Sequence, residues 1–568
     1  MKKILLRLMF LAMLVALLPV HVAQACSAFI VGKDLTADGS TLFGRTEDYP
    51  YAPDGGRHNK NYVVVPAKTY KEGDKLEDES NGFSYPHLAS EMKYTAVYDS
   101  DRGNGSNGDF AAHGFNEAGV SMTATVSATP NDKVLKQDPL VEDGLAEAAM
   151  VDLALPRSKT AREVIENVAK VIEEKGSAEG NIIVAADKNE LWYMEILSGH
   201  QYVAIKFPTN KYAVFANTYY LGHVDLNDKE NVIASKDVEE VAKKADNYKT
   251  DKDGNFMIAK SYGPDEYMER NRSRTYAGIK WMDPQAKVNY DDEAFDLLRE
   301  PTDPNKKYTV HDVIAEQRDR FETLPQYKAD DLVEVGKKID GNVYKYALGN
   351  ENVIDAHVYQ IKPNLPNAFG GVMWLGLAQS RNTPYVPFYG NVEDTYEAFK
   401  NRSTKYDGKS WYWTVWHIDQ MVMKYPEIFG NSIQEKWKAK EAEWDKEQTE
   451  RDAKYANYTD EQAKAAGPEV TKEALERSEK IFKEIKAVEA EMEEKIKKEK
   501  GKDADLVYTG YNKANLLAEA EKGKSADKAS DTKKDSSSQT TWIVIGVLVV
   551  LVAGFFGYKQ FNKKKEEE

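Results

Sequence analysis

Between residues 27 and 430 the apolar positions come in short runs separated by turn-forming residues. Residues 28–31, 62–65, 119–125, 182–185, 191–196 and 212–216 combine alternation with β-branched and aromatic side chains. That pattern predicts strands, whose successive side chains face opposite sides of a sheet. Helical periodicity appears in 144–155, behind Glu142 and Asp143, and in 160–175, where Thr160 and Glu163 have the spacing of a capping box. A further helix is expected over 294–299. Together these predict an α+β fold with many antiparallel strands. From residue 431 to 521 the pattern changes: Glu, Lys and Ala dominate, and opposite charges recur at i,i+4 spacing. This predicts a charged helical extension that packs on the core or acts as a stalk. No repeat of fixed period is present.

Two apolar runs stand outside that scheme. Residues 8–18 follow Lys2, Lys3 and Arg7, and Pro19 ends the run. Ala23-Gln24-Ala25 then supplies the small-x-small pattern read by signal peptidase, so 1–25 read as a signal peptide and Cys26 becomes the first mature residue. Residues 541–558 carry no charge, with Trp542 and Tyr558 at the two ends and Lys559, Lys563, Lys564 and Lys565 beyond. At 1.5 Å per residue the run spans about 27 Å, enough for one transmembrane helix, and the lysines place a tail, 559–568, in the cytoplasm. The Ser/Lys/Asp-rich stretch 522–540 reads as a disordered linker. The expectation is an exported protein anchored by its C-terminal helix, with residues 26–430 outside the cytoplasm.

Composition narrows the chemistry. Aromatics make up 11% of 568 residues, which excludes a mainly disordered chain. The net charge of -16 excludes nucleic acid as the main partner, since phosphates need a basic face. One cysteine excludes an intrachain disulfide, a thiolate zinc site and a cysteine-bound iron–sulfur cluster. The 9 His contain no HExxH or HxH pair, so nothing in their spacing supports a metal, and no cofactor is implied. Asp251-Lys252-Asp253-Gly254-Asn255 begins like a calcium loop, but its glycine is at the fourth place and no Glu follows at the twelfth, so it reads as a turn.

That one cysteine is Cys26. It could be a lipidated lipoprotein cysteine, although Ala23 and Gln24 fit that motif poorly, or an incidental buried side chain. As an N-terminal residue it could also be a nucleophile. A terminal cysteine carries a thiol and an α-amine on adjacent carbons, and the amine, with a reference pKa of about 8, can take the thiol proton. Lipid or acyl groups would block that chemistry. A strand after Cys26, a turn at Asp38-Gly39 and a second strand ending in Gly44-Arg45-Thr46-Glu47-Asp48 would form a hairpin. It would bring Arg45 back to favour the thiolate and Asp48 to orient the amine. The alternative for Arg45 and Asp48 is a surface ion pair.

At this point the chain resembles the bacterial cysteine dipeptidases (dipeptidase A type) of the N-terminal-nucleophile hydrolase superfamily, relatives of bile-salt hydrolase and penicillin V acylase. The resemblance covers residues 26–412. It lies in the opening CSAFIVGKDLTADGSTLFGRTEDY, in FNEAGV (115–120), in NIIVAADKNELWYMEILSG (181–199) followed by YAVFAN (212–217), and in AHVYQ (356–360), GVMWL (371–375) and VPFY (386–389). It implies a four-layer αββα sandwich and hydrolysis of dipeptides with broad specificity. Carried over, Cys26 is the nucleophile, Arg45 and Asp48 its partners, and Asn217 the donor to the oxyanion. Arg274, or the nearby Arg272, is the superfamily's second arginine. Glu47 could hold a substrate ammonium. His113, His200 and His357 read as structural, because this chemistry needs no imidazole. An amidase of the same fold, acting on bile-salt conjugates or penicillin-like amides, is the nearest alternative. A non-catalytic surface lipoprotein or adhesin is the alternative of another class. The sequence leaves a homo-oligomer open.

Overall fold

The structure is a computed structural model that describes residues 26–49, 58–99, 110–322, 337–339, 342–344, 347–403 and 405–507. The signal peptide 1–25, residues 508–521 of the helical extension, the linker 522–540, the apolar run 541–558 and the tail 559–568 lie outside the described residues. No helix among the described residues is long and apolar enough to cross a membrane.

Two large antiparallel sheets carry the chain. The six-stranded sheet runs, edge to edge, Tyr212–Phe215, Ser27–Val31, Thr41–Asp48, Val353–Ile361, Val372–Leu377 and Val386–Tyr389. The eight-stranded sheet runs Val232–Ala234, Tyr202–Lys206, Leu191–Ile196, Gly180–Ala186, Ser121–Ala128, Ala111–Phe115, Tyr94–Asp99 and Lys60–Val65. All six strand runs expected from the alternation are present, with ends displaced by a few residues.

The sheets face each other. Tyr193 meets Phe215 edge-on with ring centroids 5.2 Å apart, and Phe115 meets Tyr359 at 4.7 Å. Strand periodicity explains the layering. On Gly180–Ala186, Ile182 and Val184 belong to the core between the sheets, whereas Ile183 and Ala185 pack with the helices Glu147–Ala154 and Ala161–Lys175. The helices Glu269–Met282, Val310–Gln317 and Trp411–Lys424 pack against the six-stranded sheet. Both faces are therefore covered, which is why the Ser27–Val31 strand is buried throughout instead of alternating.

Helix Ala161–Lys175 starts at Thr160, whose side chain accepts from Glu163 N at 3.1 Å. The reciprocal half of the capping box is displaced by one residue: the Glu163 carboxylate accepts from Lys159 N. The helix expected over 294–299 is absent. Phe295 and Leu297 are buried, but Arg299 exchanges backbone hydrogen bonds with Tyr212 (2.9 and 3.0 Å) at the edge of the six-stranded sheet. A six-residue stretch ahead of Pro301 gains little from an isolated helical turn, and the open edge offers its backbone better partners.

The charged helices Ser432–Tyr455 and Gly467–Lys500 lie on the core. Trp437, Trp444, Ile481, Ile485 and Val488 belong to the same apolar cluster as the sheets. Glu441 takes a two-pronged ion pair from the buried Arg318 at 2.6 and 2.9 Å, and Trp437 Nε1 donates to Asn382 O at 2.8 Å. Pairs such as Lys483–Glu479 and Lys497–Glu493 occupy the solvent face at i,i+4 spacing.

Candidate active site

The hairpin expected after Cys26 forms. Ser27–Val31 pairs antiparallel with Thr41–Asp48, placing Ala28 opposite Arg45 and Ser27 opposite Thr46. The return turn is held by Asp38, whose Oδ1 accepts from Ser40 N and Ser40 Oγ, with Gly39 at φ 73°. Cys26 heads the first strand and is fully buried. The edge strand Tyr212–Phe215 flanks it on the other side, with Phe215 opposite Ala28, and so brings Asn217 to the same end of the sheet.

Arg45 and Asp48 are 0% and 1% exposed, so the surface ion pair is ruled out. Nor do they pair with each other. Side chains two apart on a strand share a face, and those three apart do not. Arg45 accordingly meets Glu47, Nη2 to Oε2 at 2.7 Å, while Asp48 turns to Asn350 Nδ2. Glu47 Oε1 is held by Lys60 at 2.7 Å, and Lys60 reaches Asp99 at 2.9 Å. With both oxygens committed to buried cations, Glu47 is not placed to receive a substrate ammonium. That expectation is corrected.

Helix phase sends the two candidate arginines in different directions. Residues two apart on a helix point in nearly opposite directions. On Glu269–Met282, Arg272 turns outward to Tyr290 O at 2.7 Å and to Asp292 O. Arg274 turns inward: Nη1 donates to Cys26 O and to Ser27 Oγ (3.1 Å), and Nη2 donates to Asn217 Oδ1 and Asn271 Oδ1 (both 2.9 Å). Arginine can only donate, so Asn217 Oδ1 must face it and the amide nitrogen must point away. One of its N–H bonds goes to Ser127 O at 2.9 Å. Arg274 thus ties the Cys26 carbonyl to the Asn217 side chain.

The electrostatics of Cys26 are opposed. Burial pushes the thiol up to about 12; Arg45 pulls it down, and Glu147, Glu47 and Asp48 push it further up. Burial also lifts the Asp48 carboxyl to about 7, against Arg274 and the Asn350 amide. Glu147 carries no signal in the sequence. It is the first residue of helix Glu147–Ala154, accepts from Ser127 Oγ at 3.2 Å, and lies 3.6 Å from Arg45 Nη1.

Among the described residues, one grouping has the makings of a metal site: His113, Asp355 and His357, all fully buried. Its members already contact one another and their neighbours, while Asp355 Oδ1 is left without a hydrogen-bond partner among the described residues. Asp355 Oδ2 lies 3.1 Å from His113 Nε2 and from His357 Nδ1; His113 Nδ1 meets Tyr359 OH at 2.7 Å, and His357 Nε2 meets Thr123 Oγ1 at 3.0 Å. Two neutral imidazoles, each with one donor and one acceptor, are compatible with these contacts. Burial is the largest effect on both rings: it holds His357 down to about 3 and lowers His113 as well, which favours the neutral forms. The cluster joins the two sheets behind Arg45, which lies opposite His357 across the strands. His200 instead bonds Asp138 at 2.8 Å on a partly exposed turn. In the stretch 251–255, Asp251 accepts from Asp253 N, Asn255 N and Asn255 Nδ2, which makes it a turn.

Comparison with known proteins bears on the whole of this region. The family model described as Peptidase family C69 matches residues 25–478. A protein named probable dipeptidase B from Streptococcus pyogenes serotype M1 is 48% identical over 486 residues, covering 84% of this chain and 95% of that protein. A probable dipeptidase from Latilactobacillus sakei is 32% identical over 393 residues, covering 69% and 79%. A probable dipeptidase A from Streptococcus pyogenes serotype M3 (strain SSI-1) is 27% identical over 396 residues, covering 69% and 81%.

Proposed function

The chain belongs to peptidase family C69, and we propose that it is a cysteine dipeptidase whose nucleophile is the N-terminal thiol of mature Cys26, on a four-layer αββα sandwich of the N-terminal-nucleophile hydrolase type. The observation that carries this reading is the position of Cys26 at the head of a central strand. There it lies in the field of Arg45, and Arg274 links its carbonyl to the Asn217 amide. The names of the relatives supply the substrate class.

The chemistry follows from these groups. A buried thiol held near 12 does not ionise unaided at neutral pH, so it needs an adjacent base. Cleavage of the Ala25–Cys26 bond turns an amide, which is no base, into an α-amine that is one. The amine takes the thiol proton, and Asp48 orients the resulting ammonium. The thiolate attacks the carbonyl carbon of the first substrate residue. The second N–H of Asn217 and a backbone N–H hold the oxyanion. The ammonium gives its proton to the departing amine of the second residue as the C–N bond breaks, leaving a thioester. Water, deprotonated by the same amine, attacks the thioester, releases the first amino acid and restores the thiol.

The test is side-by-side turnover of Leu-Leu, penicillin V and a glycine-conjugated bile acid by the purified mature protein. Turnover of Leu-Leu alone is expected. Preferred cleavage of either amide would replace the dipeptidase reading with an amidase one. An intact mass showing a lipidated Cys26 would end both.

We further propose that the protein is exported and held at the cell membrane through residues 541–558, with the catalytic domain outside, where dipeptides released by extracellular proteolysis would be the substrates. The charge pattern of the sequence supports this. Protease added to intact cells should digest the catalytic domain and spare a tag placed after Glu568. Cleavage of the tag with survival of the domain would reverse the topology. Truncation before Thr541 should release an active soluble enzyme; if the truncated protein stays on the membrane, a second anchor exists.

A further inference from the structure

We propose that Glu147 receives the free α-ammonium of the substrate, and thereby restricts the site to peptides with an unblocked N-terminus. The proposal rests on the cysteine dipeptidase reading above and names the residue that reads the substrate's first end.

Covalent geometry sets where such a residue must be. In a dipeptide the scissile carbonyl belongs to the first residue, and its α-nitrogen is only two bonds away, about 2.5 Å from the carbonyl carbon. Whatever binds the ammonium must therefore lie beside the attacking sulfur and the oxyanion donor. The carboxylates that act most strongly on Cys26 are Glu147, Glu47 and Asp48. Glu47 already faces two buried cations at 2.7 Å, Arg45 and Lys60, so its charge is offset and a third cation gains less there. Asp48 is turned to Asn350 and lies in the field of Arg274, and the chemistry proposed above already uses it to orient the Cys26 amine.

Glu147 has the remaining position, and its surroundings suit the task. It lies 3.2 Å from Ser127 Oγ and 3.6 Å from Arg45, and its side chain is 9% exposed where those of Arg45 and Glu47 are 0%. Ser127 joins it to the oxyanion donor: the Ser127 carbonyl accepts from Asn217 Nδ2, and the Ser127 hydroxyl donates to Glu147. One residue of the Ser121–Ala128 strand thus spaces the ammonium acceptor from the oxyanion donor. The carboxylate is also fixed from behind, since the backbone N–H of Glu147 is capped by Glu179 Oε1 at 2.7 Å. An arriving ammonium would also offset the negative charge that opposes thiolate formation, so a substrate with a free N-terminus would sharpen its own nucleophile.

The experiment compares Leu-Leu with N-acetyl-Leu-Leu on wild-type enzyme and Glu147→Gln, reading kcat and KM separately. Wild type should prefer the free dipeptide by about a hundredfold or more, the scale of one charge-assisted hydrogen bond in a desolvated site. In Glu147→Gln the KM for Leu-Leu should rise about ten- to a hundredfold, while kcat/KM for the acetylated peptide stays within about threefold, so that the preference collapses. Alkylation of Cys26 by iodoacetamide at pH 7 should be as fast or faster in the variant, which a damaged site would not give. An equal loss on both substrates, or an intact preference, overturns the proposal. If Glu147→Gln does not fold, Glu147→Asp keeps the charge and shortens the reach; an unchanged preference in that variant overturns it as well. A wild type inactive on Leu-Leu would instead defeat the dipeptidase reading, and this proposal with it; wild-type activity with an unaltered Gln variant defeats this proposal alone.

Discussion

Cys26→Ala is expected to lower kcat/KM for Leu-Leu by about 10⁴- to 10⁶-fold, a loss of roughly 5–8 kcal/mol of transition-state stabilisation. The substitution removes one sulfur from a fully buried position and leaves the backbone contacts of residue 26, including Arg274 to its carbonyl, in place. Unfolding by urea should therefore change little while turnover disappears. Retention of Ala25 should be as damaging as loss of the sulfur. The thiol would still be there, but the group beside it would be an amide, and a thiol pushed up to about 12 needs a base at that place. N-terminal sequencing paired with dipeptide hydrolysis separates the two cases. A fully active chain that starts anywhere other than Cys26, or an alanine variant within tenfold of wild type, removes the N-terminal-nucleophile reading.

How far the site is legible in the sequence depends on whether its contacts are local. The strand–turn–strand unit around Asp38-Gly39 is written in period-two alternation, and pairing of neighbours in sequence then places Arg45 beside the head of the first strand. The spacing Arg-x-x-Asp suggests one cooperating pair, whereas strand geometry puts Arg45 with Glu47 and turns Asp48 away. Arg274 cannot be told from Arg272 until the helix Glu269–Met282 fixes the phase: Asn271 and Arg274, three apart, both touch Asn217. Glu147 is one acidic residue among 93 Asp and Glu, and what distinguishes it is a contact with Ser127, twenty residues earlier on another element. Still less legible is the buried set of His113, Asp355 and His357. Asp355 and His357 sit two apart on one strand, but His113 comes from the other sheet and more than two hundred residues earlier, so no spacing rule could join it to them.

Arg45→Ala is expected to lower kcat/KM by about 30- to 1000-fold, or roughly 2–4 kcal/mol. Arg45 is the strongest charge favouring the Cys26 thiolate, whereas burial, Glu147, Glu47 and Asp48 all disfavour it. Its removal leaves those four effects less opposed, so the thiol is pushed higher and a smaller fraction is ionised at any given pH. The sign is testable: the rise of kcat/KM with pH should move to higher pH, and the rate of Cys26 alkylation by iodoacetamide should follow the same shift. Arg45→Lys should recover only part of the loss, because one ammonium supplies the charge but not the planar fork that meets Glu47 while lying 3.6 Å from Glu147. Stability would respond differently. Glu47 keeps its 2.7 Å bond to Lys60 in the alanine variant, so the buried carboxylate is not left alone. A structural ion pair would therefore show as a lower urea midpoint with an unshifted pH profile in the folded fraction. That outcome, or near-wild-type activity, would make Arg45 a buried packing charge and remove it from the chemistry.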